Sequence, residues 1–455
     1  MLKQLTVLLL ALLPAVAVAE TIHEFKLDNG LKIVVQEDHR SPVVVSQVWY
    51  RAGSMDEFNG TTGVAHVLEH MMFKGTRKVK AGQFSRLIAA AGGRENAFTG
   101  NDYTAYFQQL EKSKLPLALE LEADRMVNLQ LTAAEFAKEI QVVMEERRWR
   151  TEDKPQSLVY EQFQSASYQA HPYGRPVIGW MNDLEHMSYK DARDWYRRWY
   201  APNNATLVVV GDVQPKEVLR LARKYFGPLK ARPLLERKPQ QEPPQKGERR
   251  VTVQAPAKLP YLIMGYKVPV LGKDAADWEP FALEILAGVL DGNASARLNQ
   301  NLVRRDRIAV EVSGGYDLTN RGGISQFMLD GSPSEGVSVA DLELAIVSEI
   351  EKLKEEGVTE DELQRVKAQV IAADVYQRDS TFYQAMQIGT LETVGLSWRL
   401  LREYPERLKA VTAEQVQAVA RKYLTPENLT VATLDPQPLD QAPAQPPKEM
   451  PHGRH

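Results

Sequence analysis

The chain is predicted to be α+β: two tandem, homologous α/β-sandwich units, each a mixed, mainly antiparallel sheet packed with helices. Three observations predict this. First, the sequence repeats. Trp199-Tyr-Ala-Pro202-Asn-Asn204-Ala-Thr206 runs into the apolar stretch 207–210, and Tyr423-Leu-Thr-Pro426-Glu-Asn428-Leu-Thr430 runs into 431–434. Second, Thr132-Ala-Ala-Glu135 and Thr359-Glu-Asp-Glu362 both read as capping boxes opening long helices, in the same order and at nearly the same offset. Third, a Pro- and Gln-rich stretch, 237–248, separates the two copies.

The elements follow in chain order. Lys3, the apolar run from Leu5 to Leu13 and Ala17-Val18-Ala19 read as a cleaved signal peptide over 1–19. The run is too short to span a bilayer comfortably, and no later segment reads as a membrane anchor. The first unit covers 21–236. Asn29-Gly30 is a turn signal before a strand over 31–36, and a second strand follows over 43–49. The second unit covers 249–435, with strands over 249–254 and 261–266 as counterparts. Each repeated strand is preceded by an amphipathic helix, ending near Arg198 and Lys422. The tail 436–455 is Pro- and Gln-rich and reads as disordered, so His452 and His455 are expected to be solvated.

Composition narrows the chemistry. A net charge of −3 over 455 residues gives no reason to expect a nucleic-acid partner. There is no cysteine, which removes disulfides, thiolate nucleophiles and thiolate metal sites together. His and carboxylate are left as metal ligands.

His66-Val-Leu-Glu-His70 supplies them. Thr61-Thr62-Gly63 reads as a helix start and Gly75 as a stop. On a helix, residues four apart stand one above the other, so His66 and His70 can grip one ion. Glu69 lies beside His66, placed to handle the proton of a metal-bound water. The order His-x-x-Glu-His is the reverse of the commoner zinc-peptidase motif. A third ligand is sought on the helix expected over 133–150, whose apolar stripe holds Phe136, Ile140 and Val143. At about 100° per residue, Glu139 and Glu146 fall along the edge of that stripe while Glu145 points the other way. Glu146 is therefore the third ligand, with Glu139 two turns earlier on the same face. Carboxylates beside an apolar stripe are costly unless they meet cations or donors, and an ion held by His partners meets that need. The repeat is an internal control. At the offset matching Thr132 to Thr359, Glu139 falls on Val366 and Glu146 on Ala373, and the segment 284–290 has no histidine. The second unit keeps the scaffold without the ligands.

These residues resemble the pitrilysin/insulinase family of zinc metallopeptidases, in its shorter two-domain branch. Further segments carry the likeness: Phe73-Lys-Gly-Thr76, Asn96-Ala-Phe-Thr99, His171-Pro-Tyr-Gly174 with Ile178-Gly179, and Asn203-Asn-Ala-Thr206. The resemblance implies one zinc per chain on His66, His70 and Glu146, with Glu69 as general base and Glu139 supporting the site. It implies that a peptide substrate adds as a strand along 96–103, with Asn96, Ala97, Phe98 and Thr99 binding it. It implies that the two units form half of a clam-shell chamber. One family feature is missing. Complete members carry an Arg and a later Tyr in the C-terminal half. Here 302–310 reads Leu-Val-Arg304-Arg305-Asp-Arg-Ile-Ala-Val310, with Val310 where the Tyr is expected. An inactive homologous subunit supplying an Arg/Tyr pair is therefore the expected partner, with a homodimer as the alternative. The expected function is a periplasmic zinc endopeptidase acting on peptides or unfolded segments. The competing readings are a non-catalytic assembly or binding subunit and a zinc hydrolase of non-peptide bonds. The intact Glu69 argues against the first, and the 96–103 segment against the second.

Overall fold

The computed structural model describes residues 22–272 and 278–439. The expected signal peptide, and His452 and His455 of the tail, lie outside the described residues. The first sheet contains β1 (Ile22–Lys26), β2 (Lys32–Glu37), β3 (Val43–Tyr50), β4 (Arg94–Thr99), β5 (Thr104–Glu111) and β6 (Ala205–Gly211), in the order β1-β2-β6-β3-β5-β4. The second contains β7 (Arg249–Pro256), β8 (Tyr261–Pro269), β9 (Ala309–Tyr316), β10 (Ile324–Pro333) and β11 (Leu429–Gln437), in the order β7-β11-β8-β10-β9. Apart from β1 the two sheets are wired alike. β2 runs parallel to β6 as β7 does to β11, and the remaining neighbours pair antiparallel. The repeat read in the sequence is thus a repeat of topology.

The helices repeat too. The first half carries α1 (Val64–Met71), α2 (Gln83–Ala90), α3 (Leu115–Asn128), α4 (Ala133–Arg147), α5 (Pro155–Ser167), α6 (Met181–His186), α7 (Tyr189–Trp199) and α8 (Pro215–Tyr225). The second carries α9 (Glu279–Asp291), α10 (Val339–Glu356), α11 (Glu360–Gln377), α12 (Thr381–Val394), α13 (Leu400–Ala410) and α14 (Ala413–Tyr423). Five helices lie between β5 and β6 and five between β10 and β11, so α4 corresponds to α11 and α5 to α12. The Thr359 box closes in both directions with Glu362, whereas at Thr132 only the cap accepts, from the Glu135 amide.

One face of the first sheet is buried under its own helices: Val44, Val48 and Tyr50 of β3 share a core with Leu68 of α1, Leu119 of α3 and Trp199 of α7. Its other face is covered by the opposite half. Val45, Trp49, Val208 and Val210 pack against Ala385 and Ile388 of α12 and against Trp398. The exchange is reciprocal, because Val159 and Phe163 of α5 pack on Ala255, Ile263, Ala432 and Leu434 of the second sheet. Two glycines make room. A Cβ at Gly389 of α12 would stand 2.0 Å from the Trp49 ring, and one at Gly265 of β8 would stand 2.3 Å from Phe163. Truncating either aromatic would cost about 3–5 kcal/mol, the usual range for a buried ring.

The residues between the sheets are tied down. Arg237 donates to Asp56 at 2.7 Å, and Glu242 accepts from the amides of Gln169, Ala170 and His171. The β9–β10 loop reaches back to the first half: Arg321 donates to Asp56, and Asp102 accepts from both the Arg321 amide and the Tyr173 hydroxyl. Two expectations need correction. The tail does not leave the fold at Pro436, because Pro436 and Gln437 still pair with Ala255 and Pro256 in β11. The edge segment 96–103 is a strand only as far as Thr99, after which residues 100–103 turn into β5, with Gly53 packed tightly beneath.

Candidate metal centre

Helix α1 is aimed by a carboxylate that the sequence did not reveal. Glu57 accepts from the Gly63 amide at 2.7 Å and the Ala65 amide at 2.8 Å, satisfying donors that an α-helix leaves open at its start. Thr62 does not cap the helix; its hydroxyl donates to Asp183 at 2.6 Å. Gly63 is required where it stands: its φ is +88°, and a Cβ would come within 2.5 Å of the Ile178 carbonyl. The helix ends at Met71, ahead of Gly75.

Helix α4 lies across α1 and presents its acidic edge to the imidazoles. His70 Nε2 is 3.3 Å and His66 Nε2 3.8 Å from Glu146 Oε2, and the donor atoms of all three residues lie within 4.8 Å of one another. Four-coordinate zinc with bonds of about 2.1 Å needs its donors about 3.4 Å apart, so a small contraction of this cluster accommodates the ion. The donor set, two imidazoles and a carboxylate, suits zinc and leaves a fourth position for water. Glu145 is exposed and pairs with Arg148 instead.

The surroundings orient each group. Glu139 Oε1 is 3.0 Å from His70 Nδ1, which directs His70 Nε2 toward the cluster, and Lys74 holds the other Glu139 oxygen at 2.5 Å. Arg150 holds Glu146 Oε1 at 2.8 Å, leaving Oε2 to the histidines. Burial, reinforced by the neighbouring His70 charge, pushes His66 down to about 3, so it stands neutral, as a ligand must. Burial would also lower His70, but its contacts with Glu139 and Glu146 outweigh this and raise it to about 9. Burial works to raise Glu146, yet the His70 hydrogen bond and the nearby cations bring it down to about 2. Glu69 is buried, which raises its pKa, while the Thr99 hydroxyl donating to Oε2 works the other way.

The expected substrate-binding residues divide by role. β4 ends its sheet and, among the described residues, pairs only with β5, so its outer edge is available for a further strand. Asn96 is exposed and its side chain accepts from the Ala97 amide. The Phe98 ring turns inward, 5.3 Å from Trp49, and is partly buried. Thr99 holds Glu69. In the second half, Arg304 and Arg305 are exposed, Arg305 pairs with Asp306, and Val310 lies exposed on β9.

Fold and cluster together define a metallopeptidase of the inverted-motif class. Residues 32–180 match the family profile described as insulinase (peptidase family M16), and residues 186–370 match the peptidase M16 inactive domain. The zinc protease PqqE of Helicobacter pylori is 35% identical over 348 residues, covering 75% of this chain and 76% of that one. A zinc protease of Mycobacterium tuberculosis is 30% identical over 423 residues, covering 90% of this chain and 92% of its own. The crystal structure of a protease from Helicobacter pylori superposes with a TM-score of 0.86 at 31% identity, covering 91% of this chain and 99% of that one. The chain belongs to the insulinase family, peptidase family M16, and is a zinc protease. The periplasmic protease PqqL of Escherichia coli shares the fold, with a TM-score of 0.76 at 18% identity. Among the described residues, no helix is long and apolar enough to cross a membrane.

Proposed function

We propose that the chain is an exported, periplasmic zinc endopeptidase that cuts peptides or unfolded segments, with His66, His70 and Glu146 holding the zinc. The convergence of those three side chains beside the buried Glu69 carries the reading. When bound, zinc acidifies a water and polarises the scissile carbonyl. The chain's own residues do the rest. Glu69 accepts the proton of the attacking water on a carboxylate oxygen and delivers it to the leaving amine. Thr99 fixes the orientation of that carboxylate, and Glu139 fixes that of the His70 ring. The β4 edge from Asn96 to Thr99 receives the substrate backbone as an added strand. Export rests on the segment 1–19, and the partner reading on Val310: a homologous subunit contributing an Arg/Tyr pair would complete a chamber, with a homodimer as the alternative.

A quenched peptide library, assayed with and without chelator and with Glu69→Gln, tests the mechanism. Cleavage should vanish with chelator and fall about 10²- to 10⁴-fold in the variant, the range for loss of a general base. Chelator-insensitive cleavage, or full activity in the variant, rejects it. Mixing with a homologous subunit that carries the Arg/Tyr pair tests the partner; no complex and no gain in rate count against it.

A further inference from the structure

The second half has a cavity where the first has its His/His/Glu cluster. Gly288 of α9 lies against Val366 of α11 as His70 lies against Glu139, which puts Glu284 at the place of His66 and Ala373 at that of Glu146. The next position agrees: Asp374 accepts from Gln387 of α12 at 3.2 Å, as Arg147 meets Glu161 of α5 at 2.8 Å. The cavity has a volume of about 490 Å³, and its polar wall includes Glu284, Asp374, Tyr383, Gln387 and Tyr404. Among the described residues its lining includes no Lys or Arg.

Glu284 is the group that the fold leaves unexplained. The Tyr404 hydroxyl donates to Oε1 at 2.5 Å, while Oε2 is buried with no hydrogen-bond partner. Burial first, and then the negative Asp317 and Asp374, push this carboxyl up to about 7. Asp374 already has a counter-ion, since Arg378 reaches its Oδ2 at 2.5 Å, and Gln387 donates to its Oδ1. Metal ligation does not fit, because the position of His70 is a glycine and that of Glu146 an alanine. A monovalent organic cation does fit. The Glu284 carboxylate meets no cation of the described lining, the Tyr383 and Tyr404 rings line the same space, and Val370 and Leu401 can receive an aliphatic stem.

We propose that this cavity binds the guanidinium or ammonium group of a basic side chain on a peptide held by the enzyme, with Glu284 as its counter-ion. Thr319 and Thr390 line both this cavity and a second one, of about 580 Å³, whose wall includes Asn101–Tyr103, the turn that follows β4. A peptide lying on β4 would send its basic side chain past these two threonines. The peptide as carrier rests on the reading of β4 as the substrate strand; the cation site does not.

Calorimetric titration of the zinc-loaded full chain, in the Glu69→Gln background so that nothing is cut, tests the site. The probes are Ac-Ala-Arg-Ala-NH2, its citrulline counterpart and agmatine. The arginine peptide should bind saturably, and the citrulline peptide at least tenfold more weakly. Adding Glu284→Gln should weaken the arginine peptide at least tenfold at unchanged zinc content and melting temperature. Ala373→Met, which narrows the cavity without touching either carboxylate, should do the same and serves if Glu284→Gln misfolds. Equal binding of the two peptides, or unchanged affinity in both variants, overturns the site. Agmatine binding without peptide binding overturns the peptide as carrier. Arginine-peptide binding through Glu284 by a chain that holds no zinc would sink the catalytic reading and leave this one standing.

Discussion

Helices α4 and α11 are the same piece of scaffold put to different uses. Both open on a threonine cap, both pack across the helix that follows the second repeated strand, and each is the second helix of a five-helix insertion. α4 carries Glu139 and Glu146 toward two histidines, while α11 carries Val366 against Gly288 and Ala373 at a cavity wall. The silent half folds with a valine and a glycine where the active half has a buried carboxylate and an imidazole. The scaffold therefore does not need the ligands. In the first half these buried groups are a cost, offset by Lys74 and Arg150.

The sharpest way to break this contrast is to remove a ligand from one side only. Glu146→Ala should abolish zinc binding, measured by elemental analysis. It should cut peptide hydrolysis roughly 10³-fold or more, since several kcal/mol of transition-state stabilisation depend on the ion. Ala373→Glu in the twin should bring no second zinc; a stoichiometry of two would break the comparison.

Chelation is the next test. At zinc a thousandfold above its dissociation constant, the ion adds about 4 kcal/mol to stability. Removing it should speed hydrogen exchange in α1 and α4 and leave α9 and α11 unchanged. Equal loosening of both halves would show that the ion supports the whole fold.

The exchanged helices make a symmetric prediction. Gly389→Ala and Gly265→Ala should each destabilise by about 1–3 kcal/mol through overpacking, read from urea unfolding. One large and one negligible effect would show that the two embraces are not equivalent.

The smallest effect belongs to Thr99→Val. Loss of one hydrogen bond to Glu69 should cost about 1 kcal/mol, or roughly fivefold in kcat, with zinc content unchanged.

Local geometry explains what the sequence made readable. His66 and His70 are four apart on one helix, and Glu146 differs from Glu145 by one step of helical rotation, so both choices follow from short-range rules. The duplicated turn before β6 and β11 was readable for the same reason. What escaped depends on distant partners. Glu57 caps α1 from a separate turn, Thr99 reaches Glu69 across thirty positions of sequence, and Arg321 meets Asp56 from the other half. β1, β5, β9 and β10 also went unnamed, as did the exchange of α5 and α12, whose apolar faces look the same whichever sheet they cover. The linker composition suggests slack, yet Arg237 and Glu242 bind it to the first half and Gln245 binds it to Leu429 of the second.

That exchange also sets the order of events during synthesis. When residue 236 has been made, the first sheet is complete, but Trp49, Val208 and Val210 still face water, because α12 and Trp398 have not yet been built. At typical elongation rates the remaining stretch takes roughly ten to thirty seconds. Through that interval the nascent chain shows a sticky apolar surface, whether it leaves a ribosome or a translocation channel. A holding chaperone would find its binding site there, and a chain cut short before α12 could not conceal it.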